Sequence, residues 1–269
     1  MTKAVILARG LGTRMRRADA SVPLDADQAA AADRGIKGMI PIGRPFLDYA
    51  LSALADAGFT DVCLVIGPEH HAVRDYYEGP GRPARMRVHF AVQSRPLGTA
   101  DAVLAAEGFA GGDRFLVCNA DNFYPVQVLT ALRQLNEPGL AGFDREGLVR
   151  RGNITADRIS RFALLTTSPD GLLVDIVEKP DATTASAFGP HARVSMNCWV
   201  FGPGIFPACR LVTPSLRGEL EIQDAVRLSM ARLGERYRVV PVEEGVLDLS
   251  SRSDIAQVAG RLAAVDPRP

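Results

Sequence analysis

The chain has 269 residues, 47% apolar and 23% charged, enough for a sizeable core in one large α/β domain. Its formal net charge is zero, with 31 basic and 31 acidic side chains, which argues against a dedicated nucleic-acid surface. No apolar run approaches the roughly 18 residues of a membrane span. The four cysteines, three of them inside apolar runs, suit buried free thiols rather than a disulfide frame or a zinc site.

Met1-Thr2-Lys3 leads straight into a strand over 4–7, which leaves no room for a signal peptide and sets the expectation of a cytoplasmic protein. The strand runs into Leu7-Ala8-Arg9-Gly10-Leu11-Gly12-Thr13-Arg14-Met15. Gly10 and Gly12 allow a sharp turn and a close approach of backbone to a ligand. Thr13 adds a hydroxyl and Arg14 a planar cation suited to phosphate oxygens. Such a turn is either a phosphate-handling device or an ordinary strand-to-helix connection. It is neither a Walker loop, which needs Gly-Lys-Ser/Thr, nor a dinucleotide fingerprint, which needs a small residue where Met15 stands.

Residues 16–36 are rich in Ala and Asp and contain Pro23, so a mobile loop with a short helix around 28–32 is expected. Lys37 then interrupts an apolar strip, Ile36 to Ile42. It is either a surface residue with a buried stem or a cation aimed into a site. Further on, the pattern predicts a helix over 45–57, strands over 61–66, 86–93 and 114–118, and helices over 70–77 and 100–106. These βα units favour a parallel sheet with covering helices, whose ligands bind beyond the carboxyl ends of the strands. Gly10, Gln93 and Asp121 fall at or just past such ends. The second half is less regular: a helix over 127–135, strands over 158–166, 172–177, 194–201 and 237–242, an edge or loop over 245–249, and helices ending near 233 and 264.

Taken in order, Gly10-Leu11-Gly12-Thr13-Arg14-Met15, Lys37 before Met39-Ile40-Pro41, Gln93 with Pro96-Leu97-Gly98-Thr99-Ala100, Asp121, Glu178-Lys179-Pro180, Gly218-Glu219 and Asp248 resemble the sugar-phosphate nucleotidylyltransferases. The resemblance spans residues 3 to about 250. It implies a single Rossmann-like domain with a mixed, mainly parallel sheet flanked by helices. Residues 1–135 would form a nucleotide-binding half, with 16–36 a lid over the triphosphate, and 136–269 a sugar-phosphate half.

The resemblance implies transfer of a nucleotidyl group from a nucleoside triphosphate to a sugar 1-phosphate, with release of pyrophosphate. UTP or dTTP is favoured, with glucose the default sugar. Asp121 and Asp248 would hold Mg²⁺, to which hard carboxylate oxygens are suited. Arg14 and the backbone from Leu7 and Ala8 through Gly10, Gly12 and Thr13 would hold the nucleotide's phosphates, and Lys37 would neutralise charge at the reacting centre. Gln93 and Gly98, with Thr99, would read the base. Glu178, Lys179, Ser195 and Asn197 would hold the sugar phosphate. A guanylyl- or cytidylyltransferase of the same family, and a non-catalytic nucleotide-binding subunit, are the alternatives. Self-association into a homo-oligomer is left open.

Several positions depart from the family pattern. Arg9 stands where Ala or Gly is usual, Ala163 where many members have Gly, and Ser195-Met196-Asn197 where Asn-x-Gly is usual. Leu249-Ser250 follows Asp248 in place of Gly-Thr. Arg9 has three open readings: a phosphate contact, a contact with the acidic 16–36 segment, or an influence on base choice.

Overall fold

Strand β1 (Lys3–Leu7) shows how the core is divided: Ala4 and Ile6 enter one buried cluster and Val5 another, as the two-residue period of a strand covered on both faces requires. The computed structural model describes residues 1–19, 21–189 and 192–269. Ten further strands follow in chain order: β2 (Asp61–Ile66), β3 (Arg87–Val92), β4 (Phe115–Asn119), β5 (Asn122–Phe123), β6 (Gly139–Phe143), β7 (Ala163–Thr167), β8 (Leu173–Val177), β9 (Arg193–Phe201), β10 (Arg238–Val242) and β11 (Leu247–Asp248).

The main sheet has the order β10-β6-β9-β4-β1-β2-β3, with β7 and β8 attached along β9. The pairs β4-β1, β1-β2, β2-β3 and β10-β6 are parallel, while β9 runs antiparallel to β4, β6 and β7. The sheet is thus mixed, mainly parallel through β4, β1, β2 and β3, and flanked by helices. It does not end the assembly: β5 and β11 form a separate antiparallel ribbon that places Asp248 opposite Asn122.

Two elements differ from the sequence expectation. Residues 156–161 form a 3₁₀ helix, Ala156–Arg161, and the strand expected from 158 begins only at Ala163. Gly139–Phe143 forms a fully buried strand that its pattern did not announce, because Gly-Leu-Ala-Gly-Phe holds no β-branched residue. The glycines are needed there: a Cβ on Gly139 would lie 2.4 Å from the Arg238 carbonyl oxygen, and one on Gly142 would lie 2.6 Å from Val239.

The 16–36 segment is also more ordered than expected. A nine-residue helix, Ala26–Arg34, is capped by Asp25, whose carboxylate accepts the Gln28 N–H at 2.8 Å while Gln28 reaches back. It packs in a third apolar cluster with Met15, Ile40, Phe46 and the C-terminal helix Arg252–Leu262. Arg252 donates to the Met15 carbonyl and pairs with Asp33. The segment buttresses the Gly-rich turn from the side, and no described residue of 16–36 lines the larger of the cavities at the site. Ala20 lies outside the described residues.

All four cysteines are free and buried. Among the described residues, no helix is long and apolar enough to cross a membrane.

Candidate active site

The Gly-rich turn leaves the carboxyl end of β1 and enters a single helical turn, Thr13–Arg16. Gly12 has φ +61°, and a Cβ there would lie 2.2 Å from the Gly35 carbonyl oxygen. Only glycine lets the turn lie against the buttressing segment in this conformation. Arg16 ties the same two pieces together by donating to the Arg34 carbonyl. A Cβ at Gly10, by contrast, would meet nothing within 4 Å, since that position faces open space.

A cavity of about 450 Å³ lies over the strand ends. Leu7, Ala8, Arg9, Gly10, Gly12, Thr13, Arg14, Lys37, Gln93, Gly98, Thr99 and Asp121 all line it. A smaller cavity of about 150 Å³ adjoins it, lined by Glu178, Lys179, Ser195, Asn197, Asp248, Asn122 and Arg161 among others. Arg14, Asn119 and Asp121 line both. Every site residue expected from the sequence therefore lies in one of two adjoining cavities.

At the junction, Lys37 sits on a 3₁₀ turn, and its Nζ lies 2.7 Å from Asp121 Oδ2. Of its two sequence readings, the cation aimed into a site is the one observed. Asp121 follows β4, and its carbonyl accepts the Leu249 N–H at 2.8 Å. That bond and the β5–β11 ribbon bring two carboxylates together across 127 positions of chain (248 − 121). Asp248 is buried, and its pKa is pushed up to about 6 by burial first and then by the charge of Asp121; Ser250 and Arg158 oppose the rise. Its Oδ1 accepts from Ser250 Oγ at 2.7 Å and its Oδ2 from Arg158 Nη2 at 2.5 Å, while Arg158 Nη1 reaches Asp254 at 2.8 Å. Asn153 clamps the Asp248 backbone, donating to its carbonyl and accepting its N–H.

Two convergent carboxylates at the meeting point of two cavities, Asp248 with its pKa raised by burial and by the charge of Asp121, fit a small divalent cation that completes its shell from substrate oxygens. Among the described residues, no group of three or more His, Cys, Asp or Glu is placed to hold a metal, so such an ion would depend on those substrate oxygens.

In the larger cavity, Gln93 is buried, and its Nε2 donates to the Gly98 carbonyl at 3.0 Å and to Asp101 Oδ2 at 2.7 Å. Both amide hydrogens are spent, which leaves Oε1 as an acceptor. Gly98 has φ +127°, and a Cβ there would lie 2.5 Å from the backbone of Leu220. Thr99 Oγ1 accepts the Ile222 N–H at 2.9 Å, so its hydroxyl caps the helix Ile222–Leu233.

Arg9 turns away from the acidic 16–36 segment and pairs with Glu69 at 3.2 Å. Its side chain is only 7% exposed, and its Nε and Nη1 are buried without a partner among the described residues.

On the other side, Glu178 has its pKa raised to about 7, by burial first and against the pull of Lys179 and Arg217. Those cations lie 3.8 and 3.7 Å away. Lys179 and Asn197 both have positive φ, +43° and +55°, which is uncommon outside glycine. Ser195 Oγ accepts the Asn197 N–H at 3.3 Å.

Arg158, Asn153, Ser250, Arg217 and Gln223 were not found by sequence reasoning. Arg158, Asn153, Arg217 and Gln223 each reach a residue distant in sequence, a relation that leaves no short-range pattern, while Ser250 donates to Asp248 from only two positions away.

A model of the nucleotidyl transferase family matches residues 3–263. The UTP–glucose-1-phosphate uridylyltransferase AglF of Haloferax volcanii is 28% identical over 261 residues, covering 97% of this chain and 96% of that protein. A glucose-1-phosphate thymidylyltransferase of Streptomyces griseus is 31% identical over 226 residues, but they make up 84% of this chain and only 56% of that protein. Among solved structures, a UDP-glucose pyrophosphorylase complexed with UDP-glucose has the same fold, with a TM-score of 0.75 at 19% identity over 98% of each chain.

Proposed function

This chain belongs to the nucleotidyl transferase family, and from that premise we propose that it transfers the nucleotidyl group of UTP or dTTP to a hexose 1-phosphate, glucose 1-phosphate first among them, and releases pyrophosphate. The observation that carries this reading is the junction: two adjoining cavities, one floored by a Gly-rich turn and one edged by Glu178-Lys179, share Arg14 and Asp121. The named activities of the similar proteins support the substrate pair.

The reaction forms a bond from a sugar-phosphate oxygen to the α-phosphorus and breaks the α–β bridging bond, so the electron pair leaves on pyrophosphate. A phosphate's second pKa is ~6, so the nucleophile is already anionic near neutrality and no side chain need take a proton from it. The protein's work is alignment and charge neutralisation. Arg14 and the 8–13 backbone hold the departing phosphates, Lys37 neutralises charge at the junction, and Lys179 grips the sugar phosphate. Asp121 and Asp248 would hold Mg²⁺, which supplies further neutralisation of the reacting phosphates.

Base choice follows from the Gln93 amide. With both hydrogens engaged, Oε1 asks for an N–H donor, which the imide edge of uracil or thymine supplies and the N3 of cytosine does not. Pyrophosphate release measured for UTP, dTTP, GTP and CTP against several sugar 1-phosphates tests the reading. Turnover with UTP or dTTP is expected, and none with CTP. Asp121→Asn is expected to lower kcat by ~10²–10³ with an unchanged melting temperature. Undiminished turnover by that variant would refute the role given to Asp121.

A further inference from the structure

Strand β9 is irregular where it meets the smaller cavity. Leu140 of β6 faces Trp199, yet Gly142, two residues on, faces Ser195, so β9 bulges between 195 and 199. Asn197 sits in that bulge with φ +55°. Its backbone conformation is one that glycine or asparagine adopts most readily, and here asparagine adds a carboxamide that lines the cavity.

That carboxamide is not free to turn. Its Oδ1 accepts a hydrogen bond from Gln223 Nε2 at 2.9 Å and faces Trp199 Nε1 at 3.5 Å, a nitrogen that can only donate. Gln223 lies in the first turn of the helix Ile222–Leu233, is 2% exposed, and lines neither cavity. Its Oε1 is buried with no partner among the described residues. An amide kept in an apolar interior with its carbonyl unsatisfied is a costly choice over a leucine of similar size. What it provides is one directed donor, and that donor ends on Asn197.

We infer that Gln223 is a positioning residue for sugar recognition: by occupying Asn197 Oδ1 it fixes the carboxamide so that Nδ2 presents its hydrogens to the sugar. Across the same cavity, Glu178 offers an acceptor. Together they suit a hydroxyl that donates to Glu178 and accepts from Asn197, so the site selects hydroxylated sugars over deoxy analogues at that position. This inference rests on the proposed reaction.

The test is steady-state kinetics with glucose 1-phosphate and whichever of UTP and dTTP the wild type uses. Gln223→Leu is expected to raise KM for the sugar phosphate about tenfold, the worth of one directed hydrogen bond. KM for the nucleotide and kcat should stay within about twofold, a split that general loosening of the fold would not give. Asn197→Gly keeps the left-handed backbone and should raise the same KM by a similar factor. In the Asn197→Gly background, Gln223→Leu should then have no further effect, because its partner is gone. Additive effects of the two changes, an equal rise in nucleotide KM, or an unchanged sugar KM would each overturn the inference while leaving the reaction standing. Absence of turnover in the wild type with every substrate pair would instead bring down the proposed reaction, and this inference with it.

Discussion

The two walls of the site are built by different means. The wall at the ends of β1, β2 and β3 is mostly backbone: its turns close on glycines, and Gly12 and Gly98 each leave a gap that another stretch of chain fills to within 2.2 and 2.5 Å of a missing Cβ. The opposite wall is mostly charged and amide side chains, drawn from β9, the 3₁₀ helix Ala156–Arg161, β11 and the loop after β8. It carries two left-handed non-glycine residues and two carboxyls with raised pKa. A backbone wall suits a ligand part common to many substrates, such as a triphosphate. A side-chain wall suits a part that must be discriminated, and it stores its cost as buried charge.

If that contrast is right, removing a charge partner should unsettle the second wall more than any single change unsettles the first. Arg158 bridges Asp248 and Asp254, with all three side chains at most 13% exposed. Arg158→Leu leaves two buried carboxylates facing one another, and a loss of about 3–5 kcal/mol is expected at pH 8 by denaturant unfolding. The loss should shrink at pH 5, below the pKa of about 6 held by Asp248, because the carboxyl is then neutral. A loss independent of pH would show that Arg158 acts by packing alone.

The first wall should fail by geometry. Gly12→Ala puts a methyl group against the Gly35 carbonyl at φ +61°. We expect a cost of about 2 kcal/mol. The nucleotide KM should rise while the sugar-phosphate KM holds. A variant with both KM values unchanged would mean that the turn does not shape the nucleotide cavity.

Glu178 tests whether the second wall gives up stability for binding. Its carboxyl has an ordinary value of 4.5 and is raised to about 7 in the fold. The folded state therefore holds the proton more tightly. Stability is greatest below 4.5, declines as pH rises toward 7, and stays reduced above it. Glu178→Gln removes that penalty. The variant should be more stable than wild type at pH 8 by on the order of 1–2 kcal/mol, discounted for the 21% of the side chain that stays exposed, and no more stable at pH 4. Its sugar-phosphate kcat/KM should fall about tenfold as an acceptor weakens.

The same contrast explains what could be read from the residues alone. The β1–β4 units, the glycine turn and the place of Asp121 just past a strand end are local patterns of apolar runs, glycines and single charges, and these survive in a linear reading. Residues 158–161 read as strand in sequence yet lie in a 3₁₀ helix, where Arg158 is fixed by a partner 90 residues away. β6 was missed because its residues answer to β10 packing and not to strand propensity. The helix over 26–34 was underestimated because its ordering comes from an apolar cluster completed by the C-terminal helix. Gln223 and Asn153 leave no pattern at all, since Gln223 acts by one hydrogen bond to a distant group and Asn153 by two.

Arg9 is the exception on the backbone wall, a long cation where small residues are usual, and the smallest predicted effect concerns it. Its Nη2 reaches both oxygens of Glu69, but Glu69 is 51% exposed, and an ion pair with so much water around it contributes about 0–1 kcal/mol. Glu69→Gln keeps an acceptor at the same place and should change stability by less than about 0.5 kcal/mol. It should leave both KM values where they were, because the guanidinium is held mainly by its burial against Gly67, where a Cβ would lie 2.6 Å from Arg9 Nε, and not by this partner. Should the nucleotide KM instead move severalfold, Arg9 would have to be facing the nucleotide with Glu69 steering it. The first wall would then contain a second side-chain reader beside Gln93, and the division between the two walls would have to be redrawn at Arg9.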